Sequence, residues 1–262
     1  MYVKDILAKY EFDQLAPSPI PTSSSVKLQT DSPGDPLLPA NKPYREAVGS
    51  FMYAMQATRP DISFAVGLVS RFLANPHQSH WEAVQLIGRY LLHTVNYKLV
   101  FDGNKQGLTL VGYADADWAN DMDTRRSTTG YVFMLGGGAV SWRSRRQPSV
   151  ALSTTEAEYM AVCEATTEAM WLREFLSDLG YQQERPTVIF GDNEGAVALT
   201  KNDRYHARTK HIDIRFHYIR ERVEESSVEI KSKRTGEMIA DMLTKPMTRS
   251  NQEVFSKAVG MQ

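Results

Sequence analysis

Four carboxylates stand where apolar segments end or turn, and their placement constrains the fold of this chain more than any other feature. Asp115 closes the alternating run that starts at Leu108, and Asp192 follows the strand-like run Thr187–Gly191. Glu158 lies in the opening of a long helical pattern, and Asp241 sits in the apolar segment Met238–Leu243. Acids beside buried strands or on apolar helix faces are costly unless something neutralises them. Hard divalent cations do so through oxygen ligands. A fold that gathers these four groups would suit phosphodiester chemistry.

The pattern around the acids predicts a mixed α/β sheet packed by helices. Strands are expected over 108–115, 129–135 and 139–143, with Gly136-Gly137-Gly138 as the hairpin turn between the last two. A helix over 154–179 follows, closed by Gly180. A strand over 187–191, a short helix over 193–201, a helix over about 209–225, a strand over 228–231 and a helical segment ended by Pro246 complete the region. At 100° per residue, Glu158 shares a stripe with Ala161, Val162, Ala165, Ala169, Leu172, Leu176 and Leu179. Glu156 falls on the opposite side, so Glu158 is the carboxylate aimed at the sheet.

Upstream lie a short amphipathic helix over 2–12 and a stretch from Leu15 to Pro43 that holds seven of the twelve prolines. Such a stretch forms no helix and reads as an extended or mobile strap. Helices over 44–56, from Pro60 with the stripe Ile62, Val66, Val69 and Leu73, and over 78–93 form a small helical module. The boundaries drawn from these patterns are 1–43, 44–106 and 107–262.

Net charge is −1 over 262 residues, which excludes a uniformly basic nucleic-acid binder but not local patches. Arg125, Arg126, Arg143, Arg145 and Arg146 fall between Thr124 and Val150, a stretch with no acid, and Arg125 and Arg126 lie just past the first strand. Between Lys201 and Arg234 basic residues again outnumber acidic ones. The single cysteine, Cys163, leaves neither a disulfide framework nor a cysteine zinc site, so His206 and His211 cannot complete a two-histidine, two-cysteine one. No apolar run approaches the roughly 18 residues of a bilayer span, and no signal-peptide pattern opens the chain. A soluble, intracellular protein is the expectation.

Each acid has a plainer reading. Glu158 could pair with a buried arginine, Asp115 and Asp117 could form a turn, Asp192 could cap the next helix, and Asp241 could be an ordinary helix acid. The strand is expected to end at Asp115, which leaves Asp117 a supporting or turn role. The ordered set of four outweighs these readings.

At these residues the chain resembles the C-terminal end of copia-type retrotransposon Pol polyproteins. Gly112-Tyr113-Ala114-Asp115-Ala116-Asp117-Trp118-Ala119, Ser153-Thr154-Thr155-Glu156-Ala157-Glu158-Tyr159, Gly191-Asp192-Asn193, Lys210-His211-Ile212-Asp213 and Ala240-Asp241-Met242-Leu243-Thr244-Lys245-Pro246 are similar to that family's ribonuclease H blocks, in order. Upstream, Tyr44-Arg45-Glu46-Ala47-Val48-Gly49-Ser50 and Thr58-Arg59-Pro60-Asp61 resemble the segment that joins reverse transcriptase to ribonuclease H. The family's polymerase tetrapeptide Tyr-x-Asp-Asp is absent from this sequence.

The resemblance implies a ribonuclease H-like mixed five-stranded sheet flanked by helices, preceded by a helical module from the end of reverse transcriptase. It implies cleavage of the RNA strand of RNA–DNA hybrids during reverse transcription, without polymerase chemistry. Two magnesium ions, with manganese as a substitute, would be held by Asp115, Glu158, Asp192 and Asp241, with Asp115 bridging. Lys210 joins the five arginines as a candidate hybrid contact. The implied partners are the hybrid and the upstream reverse transcriptase palm and fingers of the same polyprotein, away from any membrane. The implied setting is a cytoplasmic virus-like particle, with the nucleus as a further location. Many ribonucleases H carry a histidine in the loop before the last aspartate; residues 231–237 have none here, and His211 is open to a substitute or a structural role. Two other readings fit the residues: a DNA-directed nuclease of the same superfamily, or an inactive nucleic-acid-binding or assembly module of a decayed element.

Overall fold

The computed structural model describes residues 2–25, 27–31, 33–102, 108–199 and 213–262. The chain divides into two compact units, one of Met1–Val100, Met122–Thr124 and Lys245–Gln262, the other of Phe101–Asp121 and Arg125–Thr244.

In the second unit, strands β1 (Val111–Asp117), β2 (Thr128–Leu135), β3 (Gly138–Arg146), β4 (Thr187–Gly191) and β5 (Val228–Ser232) form one sheet in the order β3-β2-β1-β4-β5. The β1–β2 and β2–β3 pairs are antiparallel, whereas β1–β4 and β4–β5 are parallel. This is the mixed sheet that the pattern predicts, in the five-stranded form that the resemblance implies. Two strands run past the ends of their hydrophobic patterns, although β1 starts only at Val111, three residues later than expected. β1 continues past Asp115 because Asp117 still pairs with Thr128, and β3 reaches Arg146, which also pairs with Thr128. Asp117 is therefore a strand residue and not a turn residue.

Helix α5 (Thr154–Asp178) lies on one face of the sheet. Ala161, Val162, Ala165, Ala169, Leu172 and Leu176 are buried against Ala114, Ala116, Tyr131, Phe133 and Ile189. The run of alanines lets the helix approach closely, and the helical stripe is the one read from sequence except at its end. Leu179 lies beyond the helix and is 56% exposed. Helix α6 (Glu194–Leu199) follows β4, and α7 (Asp213–Glu224) precedes β5. The segment after β5 is a pair of short 3-10 turns, Thr235–Glu237 and Ile239–Leu243, rather than a regular helix.

In the first unit, α1 (Tyr2–Lys9), α2 (Tyr44–Ala57), α3 (Ser63–Val69) and α4 (Gln78–His93) bury Ile6, Phe12, Val48, Phe51, Val66, Trp81, Ile87 and Leu91 in one core. The proline-rich strap is tied along α4. Ser18 N–H donates to the Arg89 carbonyl (3.1 Å), Leu37 bridges to His77, and Ser79 Oγ donates to Asp35 (2.6 Å). A further helix, α8 (Arg249–Ala258), is capped by Thr248 Oγ1, which accepts the Asn251 N–H. It falls in this unit, although the sequence boundaries placed it with residues 107–262. Its buried Gln252 donates to the Asp61 carbonyl (3.2 Å), and the tail beyond it bridges from Met261 to Leu99.

Candidate metal and nuclease site

Sheet geometry brings three of the four acids together. Asp115 lies in the middle of β1, opposite Gly130 of β2. Side chains alternate across a strand, so Ala114 and Ala116 face α5 while Asp115 faces the other side. Asp192 follows β4 directly, the strand parallel to β1. Asp241 sits in the 3-10 turn Ile239–Leu243, whose residues are all buried. One carboxylate oxygen from each of Asp115, Asp192 and Asp241 lies within 4.8 Å of the others. Asp115 is only 1% exposed and Asp241 is also buried, whereas Asp192 is half-buried.

Gly130 makes this convergence possible. A Cβ on Gly130 would stand 2.7 Å from both Leu243 Cβ and Thr244 Cγ2, so the Asp241 turn lies flush on the sheet only because nothing projects there. The Thr244 hydroxyl then donates to Asp115 Oδ2. At the more exposed side, Thr235 Oγ1 donates to Asp192 Oδ2 (3.0 Å). Capping does not occupy Asp192: the N-cap acceptor for α6 is Asn193, whose Oδ1 takes the Ala196 N–H (2.9 Å).

Glu158 stands outside the trio but beside it. The pairing of β4 with β1 covers Val111 to Tyr113 only, which leaves the next stretch of that edge open. There the Ala116 N–H donates to Glu158 Oε2 (3.1 Å), one residue from Asp115. Glu158 is buried, and Glu156 is turned away from the sheet. The Glu156 carboxylate accepts the Leu152 N–H (2.8 Å), while its own N–H donates to Ser153 Oγ (3.1 Å), the N-cap of α5. Gln147 braces the same region by donating to both Thr129 Oγ1 and the Ala157 carbonyl, each at 2.9 Å.

The five arginines do not form one patch. Register places Arg146 on the Asp115 face, and Arg143 and Arg145 on the opposite face with Tyr131 and Thr129. Arg146 Nη1 pairs with buried Asp121 at 3.0 Å, an acid in the loop before β2 that lies outside the acid-free stretch. Arg125 is exposed and takes a left-handed backbone (φ 55°) in the loop after β1, with Arg126 half-buried beside it. Lys210, His206 and His211 lie outside the described residues. On the sheet face of Asp115, Lys233 Nζ lies 4.9 Å from the Phe190 ring centroid, while burial raises the Tyr113 phenol above its ordinary range.

Gly130, Gln147, Thr235 and Thr244 support the acids without standing out in the sequence. For Thr244 the signal is its place three residues after Asp241, in Ala240-Asp241-Met242-Leu243-Thr244. An all-oxygen set of three aspartates at this spacing fits a hard divalent cation.

No family model matches the chain. Over an alignment of 267 positions the chain is 46% identical to the retrovirus-related Pol polyprotein from transposon TNT 1-94 of Nicotiana tabacum, covering 99% of this chain and 20% of that one. It is 38% identical to the retrovirus-related Pol polyprotein from transposon RE2 of Arabidopsis thaliana, covering 99% of this chain and 18% of that one. The chain thus spans about a fifth of the length of these curated relatives. A solved structure, LC11-RNase H1 from compost, aligns at 17% identity with a TM-score of 0.40, over 58% of this chain and 98% of that one.

Proposed function

The chain belongs to the retrovirus-related Pol polyproteins of copia-type transposons, and on that footing we propose that it hydrolyses the RNA strand of RNA–DNA hybrids. The observation that carries this reading is the meeting of Asp115, Asp192 and Asp241 beside Glu158 on a ribonuclease H-like sheet.

Asp115, Asp192, Asp241 and Glu158 would hold two magnesium ions. When bound, the pair supplies an activated water on one side of the scissile phosphate and charge stabilisation of the leaving 3′ oxygen on the other. The chain's own residues present the carboxylates. Glu158 is fixed by the Ala116 N–H, Asp115 by Thr244 and Asp192 by Thr235. The products carry 3′-hydroxyl and 5′-phosphate ends. Arg125 and Arg126, in the loop after β1, contact the hybrid backbone, a contribution that weakens as salt rises. Arg146, held by Asp121, serves the loop instead. Preference for RNA arises from 2′-hydroxyl contacts across the wide minor groove. The first unit and the upstream reverse transcriptase of the same polyprotein position the hybrid.

The test is cleavage of a labelled hybrid by the chain with magnesium, with manganese and with chelator, beside single-stranded RNA and duplex DNA. Chelator-sensitive cutting confined to the hybrid's RNA strand supports the reading. Cutting of duplex DNA would move the chain to a DNA-directed nuclease. No cutting under any condition would favour a binding or assembly module.

A further inference from the structure

Thr244 joins two parts of the site that the chain itself keeps far apart. Its side chain is fully buried (0% exposed), and its hydroxyl donates to Asp115 Oδ2, 129 residues earlier. Its backbone N–H donates to the carbonyl of Asp241 (3.1 Å), so one residue is tied to two of the three converging aspartates. The seat for this contact is Gly130, directly across the ladder from Asp115. Any side chain there would collide with Thr244 Cγ2 and Leu243 Cβ.

The Thr244 hydroxyl faces two acceptors, the Asp115 carboxylate, which is only 1% exposed, and the Asp241 carbonyl at 3.2 Å, and the carboxylate is the nearer and the charged one. A carboxylate offers about four lone-pair positions, so a donor on Oδ2 leaves the group able to ligate while its rotation is fixed. Terminal carboxylate torsions are otherwise broad, and a ligand free to rotate must be ordered when an ion binds. Donors behind metal ligands commonly change affinity by about 10–100-fold when removed. We propose that Thr244 is a positioning residue for divalent-cation binding, setting the orientation of Asp115 relative to Asp241. Thr235 makes the corresponding contact to Asp192, but on an exposed residue where water can replace it. This inference rests on the metal-site reading above and goes beyond it by assigning a group that ligates nothing.

The experiment measures binding of manganese alone to the whole chain, by calorimetry and by loss of the free-ion electron paramagnetic signal, for the wild type, Thr244→Val and Thr244→Ser. Thr244→Val keeps the shape and removes the donor, and should weaken manganese binding by about tenfold or more. Thr244→Ser keeps the donor and should stay within about threefold of wild type. Manganese affinity unchanged in Thr244→Val overturns the inference, and so does equal weakening in the Val and Ser variants, which would assign the effect to packing. If Thr244→Val does not fold, Thr244→Ala against Thr244→Ser makes the same comparison without added bulk. A wild type that binds manganese yet leaves hybrids intact defeats the nuclease reading and leaves Thr244 in place. A wild type that cleaves hybrids while Thr244→Val binds manganese normally does the reverse, and a wild type that binds no manganese overturns both.

Discussion

At the scale of single residues, Asp115 and Glu158 separate stability from chemistry. Nearby carboxylates repel one another when no cation is bound. Asp115→Asn removes one charge while its amide oxygen can still accept from Thr244, so melting temperature should hold or rise. Loss of a central ligand removes several kcal/mol of charge stabilisation, about a thousandfold in rate. Glu158→Gln should also abolish most hybrid cleavage. Glu156→Gln should leave it near wild type, because an amide oxygen still accepts the Leu152 N–H that Glu156 caps. Cleavage and melting curves on the three variants decide the matter, and activity lost in Glu156→Gln but kept in Glu158→Gln would redraw the site. The distinction between these glutamates was legible in sequence because helix geometry fixes which positions share a face over two residues. The Asp115–Thr244 contact was not legible: no local period relates residues 129 apart, and only the sheet with the Asp241 turn lying on it brings them together.

At the scale of elements, hydrophobic patterns located every strand of the sheet and missed where strands continue without them. β1 and β3 run on through charged residues because pairing with β2 satisfies their backbone. The alternation of faces then divides Arg143 and Arg145 from Arg146, which a count of arginines along the chain cannot do. The Asp241 segment read as helix because its residues are helix formers; docking on Gly130 makes it a 3-10 turn. Gly130→Ala is a direct probe of that docking. Its Cβ meets atoms of Leu243 and Thr244 that sit next to their backbone, so the turn must shift. Overpacking of this kind costs about 1–3 kcal/mol, and the same variant should weaken metal binding; unfolding in urea and manganese titration check the two effects separately. The strap gives a pH prediction. His80 Nδ1 accepts the His77 N–H (2.8 Å), its Nε2 faces the Gln29 carbonyl (3.1 Å), and its ring stacks on Phe72 at 3.9 Å. These partners call for neutral imidazole with the proton on Nε2, and burial pushes the His80 pKa below its usual range. The unfolded chain therefore binds the proton first, near pH 6.5. His80's contribution is present above that pH and is lost as pH falls through it toward the lower folded value. Urea unfolding between pH 7.5 and 5 should show this loss, and His80→Gln should flatten it.

At the scale of the whole molecule, the helical stripes told where the first unit's core would lie, but not that residues 245–262 belong with it. The reason is polar and buried. Arg59 and Asp61 form an ion pair at 2.7 Å with side chains 2% and 0% exposed. Tyr90 Oη donates to Asp61 (2.8 Å), Arg59 Nη2 donates to Thr94 Oγ1 (2.5 Å), and Gln252 of α8 donates to the Asp61 carbonyl. In the sequence Asp61 reads as an acid at a helix start, and nothing local announces that it neutralises a buried guanidinium two residues away. Removing one partner of such a pair leaves the other charge buried and uncompensated, a loss of about 3–5 kcal/mol. Asp61→Asn should therefore lower the urea midpoint of the first unit strongly. Replacing both charges, Arg59→Met with Asp61→Leu, should cost much less, because paired burial recovers little net energy over apolar packing. Tyr90 retains Gln252 and Ser256 as partners in that double variant. Asp61→Asn and the double variant unfolding at the same urea concentration would show that the guanidinium finds another neutralising group, and that the network does not order this unit.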